Sequence, residues 1–245
     1  MSNYSFFARF YDALTSNVDY SQMAKAIEGY ISVRRPTSNI LLDVACGTGN
    51  LSVELSKLGY DVIGTDSSCE MLSEAVKKAY DLEKQILFLN QSMDELDLYG
   101  TVGIAVCTLD SINHITDKNQ LDKAFSKVSL FLEEDGLFIF DINTPYKHNV
   151  VLADNTFVYD CEDVYCVWQN STENSKTTIN LDFFENEDGV YYRSSESFYE
   201  VAYTTDEIES LLLKNGFHVI EKYDDYTLEQ VKEETQRIVY VVGKV

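Results

Sequence analysis

The sequence predicts an α/β fold, an open twisted sheet of mostly parallel strands wound by helices on both faces. Three observations predict it. From Asn39 onward, short apolar runs alternate with amphipathic segments of helical length, which implies parallel strands joined by right-handed crossovers. A glycine loop, "DVACGTGN", closes the first of those apolar runs, and a single acid, Asp66, stands 19 residues after Gly47. Between about Tyr146 and Tyr203 the period changes from helical to strict two-residue alternation, the mark of an inserted antiparallel sheet.

Residues 4 to 33 read as two helical pieces. In "DYSQMAKAIEGYIS", Met23, Ala26, Ile27 and Tyr30 recur at i, i+3, i+4 and i+7, and Pro36 closes the segment. "NILLDVA" is then a buried strand, "GNLSVELSKLG" a helix stopped at Gly59, "YDVIGTD" a strand, and "SSCEMLSEAVKKAYDLE" a serine-capped helix. "ILFLNQ" and "VGIAVCT" are strands. A helix over roughly Lys118 to Leu132 and the strand "GLFIFDIN" follow.

The alternating segments "TFVYDCEDVYCVWQN", "KTTINLDFFENE" and "VYYRSSESFYEVAY" are joined by the turn sequences "STENS" and "NEDG". "TTDEIESLLLKNGF" returns to helix, with Thr-Thr-Asp as its start and Gly216 as its stop. "HVIEKYDDY" and "RIVYVVGKV" end the chain as strands. The organisation is therefore a helical segment (1–36), one α/β domain made of 37–145 and 204–245, and an antiparallel insertion (146–203) expected to roof a substrate pocket or to form a dimer surface.

Composition narrows function. Of 245 residues, 45% are hydrophobic and 24% charged, ordinary for a globular chain. The formal charge of −22 and the lack of a basic run speak against nucleic acid as a partner. "MSNYSFFARFYD" lacks the roughly 7-to-15-residue apolar core of a signal peptide, and no window approaches the ~20 apolar residues of a membrane helix. Five cysteines without C-x-x-C pairing and three histidines point to reduced thiols, a cytoplasmic location and no zinc site.

Ligands of open α/β sheets bind beyond the carboxyl ends of the strands. Gly47 and Gly49 allow a tight turn and close backbone approach, and Asp66 is placed to accept hydrogen bonds from ribose hydroxyls. A dinucleotide would call for a third glycine where Ser52 stands. Asp43, just before the loop, would repel a pyrophosphate and suit a cationic group. The residues favour adenosine joined to something cationic or zwitterionic.

"LLDVACGTGNLSVEL" followed by "VIGTDSSCEML" resembles the first two motifs of the class I S-adenosylmethionine-dependent methyltransferases. "CTLDSINHI", "FIFDINTPYK" and the closing "GFHVIEKYDDY...RIVYVVGK" extend the likeness to a small-molecule subgroup with an insertion after the fifth strand. The resemblance implies a Rossmann-like seven-stranded sheet with its last strand antiparallel. It also implies S-adenosyl-L-methionine as cofactor, bound by Gly49 among others, with Asp43 and the backbone of Ala45 and Gly47 at its methionine end, Asp66 on the ribose, and Ser67 and Met71 along the adenine. Met71 reads equally well as core. The loop after the third strand, where the family often presents an acid to adenine, places Ser92 and Met93. Cys107 would offer its backbone to the methionine moiety. Tyr11, Asp12 and Tyr20 belong to a segment expected either as a lid or as a helix packed on the sheet.

Methyl transfer from a sulfonium needs alignment and exclusion of water more than a catalytic triad. A base helps when the acceptor is a protonated amine, a hydroxyl or an acidic carbon. Candidates for substrate handling are Asp110, Asn113, His114, Asp141 and Asn143, with Asp110, His114 and Asp141 as possible catalytic groups. His114 reads either as a base or as a helix-capping surface residue. The acceptor is expected to be a small molecule and the chain a monomer or homodimer. A nicotinamide-dependent oxidoreductase and a regulatory protein that binds cofactor without turnover are the alternatives.

Overall fold

The computed structural model describes residues 5–161 and 164–245, with side chains from Phe7 onward; residue 4 of the expected first helix lies outside them. Two helices open the chain, α1 (Ser5–Leu14) and α2 (Tyr20–Arg34). Asp19 caps α2 by accepting the Gln22 N–H. The strands and helices β1 (Ile40–Val44), α3 (Asn50–Lys57), β2 (Asp61–Asp66), α4 (Cys69–Ala79), β3 (Leu87–Asn90), β4 (Val102–Cys107), α5 (Lys118–Phe131) and β5 (Leu132–Asn143) follow. A π-helical turn (Lys147–Leu152) leads into four antiparallel strands, β6 (Thr156–Asp160), β7 (Val164–Glu173), β8 (Lys176–Glu187) and β9 (Val190–Val201). Helix α6 (Thr205–Lys214) and the strands β10 (Phe217–Asp224) and β11 (Arg237–Lys244) complete the chain.

The main sheet has seven strands in the order β10-β11-β5-β4-β1-β2-β3, and β11 runs antiparallel to both β5 and β10. The order reverses between β1 and β4, so the loops after those two strands part and leave a crevice at the carboxyl edge.

Alternation along the strands explains both faces of the sheet. Leu42, Ala105, Phe138, Phe140, Tyr240 and Val242 face α5 and α6, where Phe140 and Tyr240 stack with centroids 4.9 Å apart. Leu41, Ile104, Val106, Leu137, Ile139, Val239 and Val241 face α2 and α3. The second N-terminal helix thus covers the sheet through Met23, Ala24, Ile27, Tyr30 and Ile31, with Ala26 only partly buried.

Helix α1 is clamped between two layers. Phe7, Phe10 and Leu14 of α1 pack with Met71 of α4 and with Val164, Cys166, Ile179, Leu181, Phe183 and Phe198 of the four-stranded sheet. The insertion therefore packs on α1. Its opposite face leaves Tyr165, Tyr191 and Tyr199 exposed. Among the described residues no helix is long and apolar enough to cross a membrane.

Candidate active site

The loop after β1 is built to bring backbone close to a ligand. Gly47 has φ +54°, and nothing lies within 4 Å of where a Cβ would stand. Its N–H donates to Asp66 Oδ2 (2.9 Å), while Ser68 N–H donates to Asp66 Oδ1 (2.8 Å). Each carboxylate oxygen keeps acceptor capacity for a ligand. Burial raises the Asp66 pKa, opposed by those backbone N–H groups.

A cavity of 270 Å³ runs along the crevice. One end is formed by Ala45, Gly47, Asp66, Ser67 and Met71 together with Ser92, Met93 and Asp94 of the loop after β3. The remaining wall holds Leu109, Ser111, His114 and Ile115, with Phe7 and Tyr11 of α1. A smaller recess of 30 Å³ adjoins it, lined in part by Tyr11, Tyr20, Asp43, Ala45 and Gly47.

Several expected residues take a different place. Asp43 is buried and receives the Ser52 hydroxyl at 2.5 Å, so the serine in the third-glycine position holds the acid. Burial pushes the Asp43 carboxyl up to about 7. Gly49 lines neither cavity: it caps α3 at φ +75°, and a Cβ there would stand 2.8 Å from Ala75 Cβ. Cys107 is also fully buried away from both cavities, and burial raises its thiol pKa.

Asp141 is the main correction. It is fully buried on β5, where Oδ1 accepts the Asp110 N–H (2.7 Å) and Oδ2 the Leu109 N–H (2.8 Å). The Tyr226 hydroxyl and the Arg237 guanidinium donate to the same carboxylate. With this occupancy Asp141 is an anchor and not a base. It holds Leu109 and Asp110 in the left-handed region, φ +54° at both, a conformation that needs such support in non-glycine residues. Asn113 is likewise committed, donating to the carbonyls of Asn143 (3.1 Å) and Val201 (2.8 Å) and accepting the Asn143 N–H (2.9 Å). The Asn143 side chain accepts from Lys147 Nζ at 2.8 Å.

Asp110 and His114 remain near the cleft. Arg237 donates to Asp110 Oδ1 at 2.7 Å. Burial alone would raise the Asp110 carboxyl, but Arg237 and Lys147 hold it well below its usual range. His114 lines the cavity with its side chain 28% exposed, beside Glu200 of β9 with Nε2 to Oε1 at 3.8 Å. Burial lowers the His114 pKa, partly offset by Asp110, so the ring is neutral at physiological pH.

Sequence reasoning missed four contributors. Asp94, two residues after Ser92, brings an acid to the cavity wall. Burial would raise it, but hydrogen bonds from Ser92 Oγ (2.9 Å) and Gln120 Nε2 (3.3 Å) and the Lys123 ammonium hold it low. Gln120 lines the cavity as well. Glu200 and Arg237 come from strands far along the chain, and only their pairing in space reveals them. Asp110, His114 and Glu200 bring one ligand-type atom each within 4.8 Å of one another. Arg237 donates to Asp110 Oδ1 at the edge of this cluster.

Residues 41–136 match the family model described as a methyltransferase domain. YqeM of Bacillus subtilis (strain 168) is 31% identical over 244 residues, covering 98% of this chain and 97% of the relative. A Geobacillus sp. (strain WCH70) relative is 30% identical, covering 98% and 99%. Their names specify methyltransferase and no acceptor. The crystal structure of an S-adenosylmethionine-dependent methyltransferase from Clostridium acetobutylicum ATCC 824 superposes with a TM-score of 0.90 at 34% identity, covering 99% of each chain.

Proposed function

The chain belongs to the S-adenosylmethionine-dependent methyltransferases, and from that premise we propose that it methylates a small molecule held at the His114 end of the cavity. The cofactor is S-adenosyl-L-methionine, which when bound supplies an electrophilic methyl and its own leaving group. The residues present suit it. Gly47 leaves room for close approach, Asp66 offers free lone pairs beside it, and Asp94 supplies an acceptor to a nucleobase amine.

Ser67, Met71, Ser92 and Met93 would line the adenine. Ala45, Gly47 and the recess beside Asp43, Tyr11 and Tyr20 would receive the amino-acid end. The one observation that carries the small-molecule reading is the cavity itself: 270 Å³, walled by strand-end loops and covered by Phe7 and Tyr11 of α1. A covered cleft of that size excludes water and aligns a small acceptor. A macromolecule would need an open face, and a nucleic acid would also meet a net charge of −22.

Two experiments test this. Calorimetric titration should give binding of S-adenosylhomocysteine and none of a nicotinamide dinucleotide; the reverse result rejects the cofactor assignment for these residues. Incubation with methyl-labelled S-adenosylmethionine should transfer label into the small-molecule fraction of a metabolite extract. Label that enters only RNA or protein rejects the small-molecule reading, and tight binding without any transfer favours a regulatory role.

A further inference from the structure

Behind His114 lies a group of polar atoms that the cofactor does not account for. Asp110, His114 and Glu200 each direct one acceptor atom so that all three lie within 4.8 Å of one another. Three acceptors at ordinary hydrogen-bond length from a tetrahedral N–H₃ group would stand about 4.6 Å apart. His114 Nε2 and Glu200 Oε1, 3.8 Å apart, stand closer than that, so an ammonium seated between them would draw the two side chains slightly apart.

Glu200 is buried, with 3% exposure, and among the described residues its Oε2 has no hydrogen-bond partner. His148, fully buried on the π-helical turn, places Nε2 3.6 Å from that oxygen, and among the described residues this nitrogen has no hydrogen-bond partner either. His148 Nδ1 is engaged with Thr177 Oγ1 (2.9 Å), and Thr177 lies opposite Glu200 in the β8–β9 register. At 3.6 Å the two atoms stand beyond hydrogen-bond length, and a proton on Glu200 would join them once the side chains draw together by a few tenths of an ångström. The remaining charged groups around Glu200 are Asp110, Lys147 and Arg237.

Resting on the small-molecule reading above, we propose that the methyl acceptor is an amine, received as its ammonium by Asp110, His114 and Glu200, with Glu200 taking the proton that frees the nitrogen lone pair. The proton leaves the ammonium nitrogen for a Glu200 oxygen, the nitrogen keeps the N–H bonding pair, and His148 holds the resulting carboxyl. Asp110 stays ionised through Arg237 and supplies the fixed negative charge. Arg237, neutralised by Asp110 and Asp141, is not free to clamp an acceptor carboxylate, so a simple amine suits the site better than an amino acid. Burial raises the Glu200 carboxyl to about 8, with Asp110 adding to the shift, and burial lowers His148 to about 4; the shared proton thus rests on Glu200 at neutral pH.

The test uses sinefungin, the adenosyl amino acid in which a carbon bearing a primary ammonium replaces the sulfonium and its methyl. Titration calorimetry in buffers of different ionisation enthalpy should show sinefungin binding about tenfold tighter than S-adenosylhomocysteine. Its binding at pH 7 should also release close to one proton, because the incoming ammonium ionises Glu200. Glu200→Gln and His114→Asn should lose the preference, and Glu200→Gln the proton release, while S-adenosylhomocysteine affinity reports that each variant is folded. Failure of S-adenosylhomocysteine to bind wild type rejects the underlying cofactor-site reading. Normal S-adenosylhomocysteine binding with no sinefungin preference, or a preference retained in Glu200→Gln, rejects the amine site alone.

Discussion

Gly47 and Gly49 show how two residues of one motif divide their work. Both have positive φ, so an alanine at either is strained. At position 47 the added methyl enters open cavity, whereas at 49 it meets Ala75 Cβ at 2.8 Å and Phe88 at 3.4 Å. Gly47→Ala should therefore cost about 1 kcal/mol of stability and most of the cofactor affinity. Gly49→Ala should cost at least about 2 kcal/mol through overpacking. Urea unfolding and calorimetry on both variants separate the two effects, and equal stability losses would refute the division. Asp66 makes a sharper residue-level case. It joins the glycine loop to the start of α4 through two backbone N–H groups while facing the cavity. Asp66→Ala should lower S-adenosylhomocysteine affinity by at least tenfold, since charge-assisted bonds to ribose hydroxyls are lost; unchanged binding would show the ribose is held elsewhere.

Helix α1 is the element whose position decides whether the cleft is covered, and one side chain latches it. Asp12 accepts from Thr48 Oγ1 (2.7 Å), Asn50 Nδ2 (2.8 Å) and Lys78 Nζ (2.5 Å), so the lid is tied to the glycine loop and to α4. Burial would raise the Asp12 carboxyl, but the bonds from Lys78, Thr48 and Asn50 hold it below its usual range. The latch is therefore complete above the ordinary carboxylate range and lost as pH falls through the lowered pKa. Asp12→Ala should speed S-adenosylhomocysteine release several-fold in stopped-flow measurements with little change in melting temperature; an unaltered rate would mean that Phe7 and Phe10 packing alone holds α1. This latch also marks where the sequence stops being legible. The α/β alternation reads directly from runs such as "NILLDVA" and "VGIAVCT", because buried parallel strands are continuously apolar. The roles of Asp12, Glu200 and Arg237 do not read that way: each acts on a partner 36 to 127 residues away, and no local period encodes such pairing. Asp141 misled for the same reason. An acid ending an apolar strand looks like a ligand until Tyr226 and Arg237 arrive from the far end of the chain. The π-helical turn carrying His148 was hidden too, inside a segment that sequence pattern assigns to the antiparallel insertion.

At the scale of the whole molecule, the buried acids and the net charge push stability in one direction. Asp43 and Glu200 have carboxyls raised by burial to about 7 and about 8. Between the usual carboxylate range and those values the folded chain binds more protons than the unfolded one, so their contribution makes stability fall as pH rises. His148, lowered by burial to about 4, acts oppositely between its ordinary 6.5 and that value: there the unfolded chain binds the extra proton, and stability falls as pH drops. Above about pH 6.5 the histidine term is spent, and the raised acids, joined toward pH 9 by buried cysteines whose thiols are raised as well, all push in the same direction. Deprotonation also adds to a formal charge of −22, whose self-repulsion is relieved by salt. The melting temperature should accordingly decline from pH 6.5 to 9, and the decline should be smaller at 0.5 M than at 0.05 M sodium chloride in roughly matched buffers. Glu200→Gln keeps the volume and a hydrogen-bond donor while removing the titration. It should flatten the pH dependence by up to about 1.4 kcal/mol per pH unit in the window below pH 8. A slope identical to wild type would mean that Glu200 is already ionised in the folded protein across this window.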